Sequence, residues 1–104
     1  MPDHQLIKSW KITETLLERA RHALPDSPAQ HEHARVTLLK QYQEFLAHNE
    51  LELALDTIEE LGHLLSAHGG FWRDLERAAE NMGLSGRLPA LRKAFSDAPL
   101  KQPS

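Results

Sequence analysis

The chain has 104 residues, a net charge of −3 with histidines counted as neutral, and no cysteine. This length suits one domain around one hydrophobic core. The lack of cysteine excludes disulfides, thiolate metal sites and cysteine catalysis, and the acidic balance argues against a nucleic-acid binder.

The first two predicted elements are helices separated by a proline-containing turn. Apolar residues recur at helical spacing over Leu6–Leu24, and Trp10 lies on that stripe at a position typical of the core. After Pro25, Ser27 suits the N-cap of a second helix, which we expect to run from Pro28 to about His48.

The third predicted helix has the most regular pattern in the chain. Asn49 is its expected N-cap, with Glu52 three positions later as in a capping box. We expect Gly69 and Gly70 to end it. Its apolar arc covers more than half of the cylinder, so it should pack against at least two neighbours; the arc contains Leu51, Ala54, Leu55, Ile58, Leu61, Gly62 and Leu65, widened by Leu53, Thr57 and Leu64.

Two more helices are predicted after the glycines. The apolar residues between Phe71 and Met82 share one face of the fourth helix, and Gly83 suits its C′ position. A short fifth helix is expected from about Ser85 to Phe95, although Pro89 makes its start uncertain.

The spacing of these elements predicts an all-α fold, because the sequence shows no alternation typical of strands. Short connections favour an up-and-down antiparallel four-helix bundle with a short fifth C-terminal helix. We expect one helical domain over residues 1–104, with flexible ends at 1–5 and 97–104.

The charge of the chain is concentrated in its middle. Between Lys40 and Arg73 there is no lysine or arginine, and six acidic residues lie in that interval. On the third helix, Asp56 is four residues from both Glu52 and Glu60, and like charges at this spacing repel. The predicted partner-binding residues are therefore Glu52, Asp56, Glu59 and Glu60, flanked by Glu44 and His63.

Two interpretations of this acidic face stay open. Basic residues of later helices could lie across it as counter-charges, and an ordinary solvated surface is the commoner outcome. Alternatively, the face is kept acidic for a partner, since solubility surfaces normally mix both signs. The basic residues in reach along the sequence are Arg73, Arg77, Arg87, Arg92 and Lys93.

Metal binding and catalysis receive little support. Glu60 and His63 have the Glu-x-x-His spacing of di-iron bundles, but a second motif is missing and both lie on the polar side of the helix. No nucleophile elbow or phosphate-binding glycine loop is present. We therefore predict no enzyme activity, no metal site and no cofactor.

One aromatic residue joins the predicted partner-binding set. Phe71 and Trp72 are adjacent, so their rings point about 100° apart on a helix. One of them should lie at the edge of the core, and Trp72 is the better candidate for partial exposure.

Two stretches of the chain resemble the small helical immunity proteins of bacterial polymorphic-toxin systems, of the MafI-like group. These are Tyr42–Asp56, with its His-Asn-Glu-Leu-Glu-Leu-Ala junction, and Phe71–Leu84, with Ala-Ala and Met-Gly-Leu. The resemblance covers about residues 42–84. It implies a bacterial protein that binds and blocks a toxin, often a nuclease, inside the producing cell.

Together these observations predict a non-catalytic protein-binding module that blocks a basic toxin partner through its acidic helix face. We expect a cytoplasmic location, because no signal peptide or membrane span is visible, and no nucleic-acid or membrane partner. The alternative is a self-associating structural or adaptor bundle, in which the wide apolar arc and Trp72 bury a homodimer interface.

Overall fold

The computed structural model describes residues 4–26 and 28–99, with side chains from Ser9 onward, and every regular element within these ranges is helical. The all-α class is confirmed. The predictions for Ser27 and for residues 1–3 and 100–104 lie outside the described ranges. The helices are α1 (His4–His22), α2 (Glu32–Ala47), α3 (Leu51–Leu64), α4 (Gly69–Asn81) and α5 (Leu88–Asp97), with single 3-10 turns at Ala29–His31 and Ser85–Arg87.

Helix α3 packs against more than two neighbours, as its apolar arc predicts. It contacts α1, α2 and α4. Its predicted arc is buried from Leu51 to Leu65, and Ala54, Leu55, Ile58 and Leu61 have no exposed surface. Leu53 is the exception: it is 44% exposed, because it lies on the outer side of the arc. A helix buried over more than half its circumference needs several neighbours, and α3 has them.

The remaining packing is pairwise. Helix α1 packs mainly on α4, α2 on α3, and α5 on α4. The α1–α4 contact contains a polar link, in which the Asn81 side-chain amide donates to the Ser9 carbonyl and to the Thr13 hydroxyl, both at 2.7 Å. Thr13 is buried, so this bond satisfies a hydroxyl that would otherwise destabilise the core. The up-and-down antiparallel order stays a prediction.

Three helices end at a residue with left-handed backbone geometry. Asn49 has φ 57°, Ser66 has φ 53° and Gly83 has φ 75°. In each case the next residue donates its N–H back across the last turn, from Glu50 to Phe45, from Ala67 to Gly62, and from Leu84 to Ala79, at 2.9 Å. This is the Schellman arrangement.

These ends confirm one sequence prediction and overturn two. Gly83 is the C′ residue of α4, as predicted. Asn49 is not the N-cap of α3 but the C′ residue of α2, and the actual N-cap, Glu50, makes no side-chain capping bond. Helix α3 is ended by Ser66 rather than by glycine, so Gly69 and Gly70 are free to form the first turn of α4.

The proline-containing turns also differ from the predicted boundaries. A 3-10 turn at Ala29–His31 precedes α2, which begins at Glu32 rather than at Pro28. A second 3-10 turn at Ser85–Arg87 precedes α5. Pro89 then lies in the first turn of α5, where its missing N–H costs no hydrogen bond, so it starts the helix instead of interrupting it.

A glycine in α3 makes room for the aromatic residues of α4. A Cβ atom placed on Gly62 would lie 2.2 Å from the Phe71 ring and 2.9 Å from the Trp72 ring. Phe71 and Trp72 meet edge to face, with ring centroids 4.9 Å apart. Because both rings are buried, any residue larger than glycine at position 62 would push them out of place.

Candidate protein-binding surface

The predicted acidic residues of α3 form one exposed sector opposite the buried arc. Glu52, Asp56 and Glu60 are exposed, and Glu59 is half-buried at the margin. Four carboxylates therefore share one side of a helix that carries no lysine or arginine. We call these four residues the acidic sector.

One counter-charge reaches the acidic sector from another element. Arg87, in the 3-10 turn before α5, donates from Nη2 to Glu59 at 2.9 Å and also to the carboxylate of Asp56. Its side chain is 30% exposed, so this bridge is partly buried. The counter-charge interpretation therefore holds for the middle of the sector, where the single charge of Arg87 offsets part of the charge of Asp56 and Glu59. Glu52 and Glu60, at the two ends, make no ion pair within the described residues.

The bridge changes the electrostatics of Arg87 itself. Partial burial favours the neutral guanidine, but the hydrogen bonds to Glu59 and Asp56 outweigh burial, and the pKa of Arg87 is raised above its ordinary value. Arg87 is therefore charged at every pH at which the protein is folded.

The other basic residues considered for this role lie elsewhere. Arg92 faces Glu76 and Glu80 of α4, at 3.3 and 3.7 Å. Arg73 lies over the Phe95 ring, 4.7 Å from its centroid. Arg92 and Arg73 thus contribute to the contact between α4 and α5, while Lys93 pairs with Asp97 within α5.

Three of the predicted partner-binding carboxylates keep their charge available. Within the described residues, the carboxylates of Glu44, Glu52 and Glu60 make no ion pair and no hydrogen bond, and all three side chains are exposed. Glu44 belongs to α2, while Glu52 and Glu60 lie two turns apart on α3. A rise of 1.5 Å per residue separates these two along the helix by about 12 Å.

The predicted exposure of Trp72 is wrong. Its side chain is only 3% exposed, and its indole Nε1 donates to the Ala67 carbonyl at 3.2 Å. Burial is possible because Gly62 leaves space for the ring and because the carbonyl satisfies the indole N–H. The exposed ring of His63 lies against Trp72, with centroids 4.6 Å apart, and covers it from solvent.

The exposed tryptophan is Trp10, which the sequence pattern placed in the core. It is 40% exposed. It lies beside the first turn of α3 and the last turn of α4. Its early position in α1 was the one available signal, because a residue near the end of a bundle helix has fewer neighbours to bury it.

Neither a cluster of metal ligands nor a membrane-spanning helix is found among the described residues. Among the side chains described, those of residues 9–26 and 28–99, no three histidines, aspartates or glutamates come together as metal ligands. Glu60 and His63 thus have no further ligand beside them. No helix in these ranges is long and apolar enough to cross a membrane.

Comparison of the chain with protein-family models, with curated proteins and with solved structures gave no match.

Proposed function

We propose that this chain is a non-catalytic protein-binding module that binds a basic protein partner through the exposed side of α3. One observation carries the proposal. Glu52 and Glu60 are exposed on a helix without lysine or arginine, and within the described structure neither has a counter-charge. Two such carboxylates on a rigid helix offer fixed acceptors to lysine or arginine side chains of a partner.

The spacing of the unpaired carboxylates supports a broad contact with a folded partner. Glu52 and Glu60 flank the Arg87 bridge, so a partner meets unpaired negative charge at both ends and a centre whose negative charge Arg87 only partly offsets. Complementary charge of this kind speeds association and selects between partners more than it adds affinity. The proposal does not depend on the up-and-down order that we predict for the bundle.

We further propose that the partner is a bacterial toxin domain and that the chain is its immunity protein, acting in the cytoplasm. The resemblance over residues 42–84 and the acidic sector both support this. A nuclease holds phosphates in a basic cleft, and carboxylates placed in that cleft exclude the substrate. In this role the chain needs no catalytic group and no cofactor.

The neighbouring genes supply the partner for a test. An immunity function predicts a large secreted protein with a variable C-terminal domain, encoded immediately upstream. That domain, purified and titrated by calorimetry, should bind the chain, and the chain should protect cells that express it. If no such gene is present, or if the encoded domain does not bind, the immunity proposal is overturned.

The role of α3 has a separate test with the same partner. Substituting both unpaired carboxylates, Glu52→Lys and Glu60→Lys, should weaken binding at least about tenfold, since each contact to a charged group contributes about 1.5–3 kcal/mol. The matched control is Asp26→Lys with Asp97→Lys, which makes the same charge change outside the acidic sector. If both double variants weaken binding equally, general charge and not the acidic sector is responsible.

Self-association, the alternative that we predicted, stays untested. However, the residues that we expected in the dimer interface already pack inside the bundle. The apolar arc of α3 and the Trp72 ring are buried within one chain. A dimer would need a different surface. Sedimentation velocity at micromolar concentration distinguishes the two functions, and a monomer is the expected result.

A further inference from the structure

We infer that a pocket at one end of the bundle, beside the acidic sector, receives an arginine side chain of the partner protein. The pocket lies where the first half of α1, the first turn of α3 and the last turn of α4 meet. It has a volume of about 290 Å³ and is open to solvent. Its walls include Trp10, Asn49, Leu51, Glu52, Asn81 and Met82.

One wall of the pocket is apolar and aromatic. Trp10 is 40% exposed and presents part of its ring to this wall. Met82 and Leu84 are half-buried beside it. The guanidinium plane of arginine stacks on a tryptophan face, and its aliphatic stem packs on apolar side chains.

An arginine side chain also needs oxygen acceptors for its charged N–H groups, and Glu52 and Asn81 supply them. Glu52 lines the pocket and has no ion pair within the described residues. Both hydrogen bonds of the Asn81 side chain are donated by Nδ2, to Ser9 and Thr13, so the amide is held in place and its Oδ1 remains an acceptor. A guanidinium has five donors for such oxygens.

Other occupants fit this pocket less well. An apolar side chain would cover the Glu52 carboxylate without pairing it, which costs free energy. An anion would be repelled by Glu52. Lysine would satisfy the charge, but its ammonium is a compact point charge that stacks poorly on an aromatic ring and loses more hydration. Charge and shape together therefore select arginine.

The inference rests on the proposed function for the source of the arginine, which is the surface of a protein partner. It adds the position and the side chain through which that partner is anchored. Buried aromatic and arginine contacts commonly dominate protein interfaces. The pocket would therefore be the specific contact, while Glu60 and the rest of the acidic sector would act through longer-range attraction.

The pocket can be tested without the partner, with N-acetylarginine amide as the probe. The two tryptophan indole N–H signals are followed by NMR during the titration. A saturable shift of the Trp10 signal is expected, with the buried Trp72 signal as an internal control. N-acetylcitrulline amide, which has nearly the same shape without the charge, should produce no saturable shift, and N-acetyllysine amide should bind more weakly than the arginine probe.

Matched variants then separate the pocket from general electrostatics. Glu52→Gln should weaken probe binding at least about fivefold, because it removes a charge-assisted hydrogen bond. Glu60→Gln, with the same charge change two turns away, should have little effect. Trp10→Leu should also weaken binding, and the Asn81 side-chain signals should then report any remaining probe. Equal effects of Glu52→Gln and Glu60→Gln, or no saturable shift in the native chain, would overturn the inference.

Failure of the pocket and failure of the proposed function give different results. If the toxin domain binds and requires Glu60 but the arginine probe does not bind, the pocket inference is wrong and the function stands. If the probe binds at Trp10 and no basic protein partner depends on α3, the function is wrong and the pocket remains an arginine site.

Discussion

The hydroxyl of Tyr42 donates a hydrogen bond of 2.9 Å to Oε2 of Glu18, and this bond links α2 to α1. Arg21 donates to the same oxygen at 2.8 Å. Burial favours the protonated acid at Glu18, but the bonds from Arg21 and Tyr42 outweigh it and lower the pKa of Glu18. Burial of Tyr42, together with its bond to the Glu18 carboxylate, raises the pKa of Tyr42 far above its usual value.

The raised pKa of Tyr42 predicts a loss of stability at alkaline pH. Above about pH 10 the phenol ionises in the unfolded chain but stays protonated in the folded protein. The free energy of unfolding should then fall by about 1.4 kcal/mol per pH unit from this group. Because the chain has one tyrosine, the phenolate absorbance that appears near 295 nm comes from Tyr42, once the smaller change of the two tryptophans on unfolding is subtracted. Ionisation should coincide with unfolding.

Tyr42→Phe is the control for this prediction. It should lower stability near neutral pH by about 1 kcal/mol through loss of the hydrogen bond. Above pH 10 the difference from the native chain should shrink, because phenylalanine does not titrate. A tyrosine that ionises near pH 10 while the circular dichroism is still native would contradict the structure.

The close approach of Phe71 to Gly62 predicts that Gly62→Ala destabilises the protein. Alanine normally favours a helix over glycine by about 1 kcal/mol. Here its methyl group overlaps the buried rings, and overpacking of a core costs about 1–3 kcal/mol, so a net loss is expected in urea unfolding. Gly70→Ala is the matched control in α4. A Cβ there meets nothing within 4 Å, so this variant should be neutral or more stable.

The period of the apolar residues was enough to predict the class and the core of this fold. The arc of α3 is buried almost as predicted, because a helix with that pattern can exclude water in only one orientation. The helix ends were less predictable. Asn49 suits an N-cap and a left-handed C′ position equally well, and only the tertiary contacts of α2 and α3 decide between them.

The left-handed geometry of Ser66 predicts a stabilising substitution. A serine at φ 53° is strained because its Cβ approaches the following carbonyl group. Ser66→Gly should raise the free energy of unfolding by about 0.5–1 kcal/mol and the melting temperature by a few degrees. Asn49→Gly is the comparison, and its gain should be smaller because asparagine tolerates this geometry. A larger gain at Asn49 would contradict the explanation.

The two tryptophans have opposite environments, and single-tryptophan variants can show this by acrylamide quenching. Trp72→Phe leaves only the half-exposed Trp10, whose emission should be red-shifted and strongly quenched. Trp10→Phe leaves only the buried Trp72, which should emit at shorter wavelength and resist quenching. Similar quenching in both variants would refute the burial of Trp72.

Sequence position explains why the two tryptophans were misassigned. Both lie on apolar helix faces, and periodicity cannot distinguish the middle of a bundle from its end. Trp72 is buried because Gly62 of α3 leaves space for its ring, and the sequence pattern within α4 does not reveal that contact. The acidic sector was predicted correctly as a face of α3, but the choice of Arg87 as its counter-charge depends on the 3-10 turn before α5.

We predict that the Arg87 bridge stabilises the folded protein and that this contribution depends on salt concentration. Arg87→Gln leaves Asp56 and Glu59 to repel each other, and it should cost about 0.5–1.5 kcal/mol at low salt. In 1 M NaCl, where charges are screened within about 3 Å, the cost should be much smaller. Arg92→Gln is the control, since Arg92 also faces two carboxylates but is 59% exposed and should contribute less. The measurement is the free energy of unfolding in urea for the native chain and the two variants at both salt concentrations. Equal losses of stability in the two variants would mean that partial burial does not strengthen the Arg87 bridge.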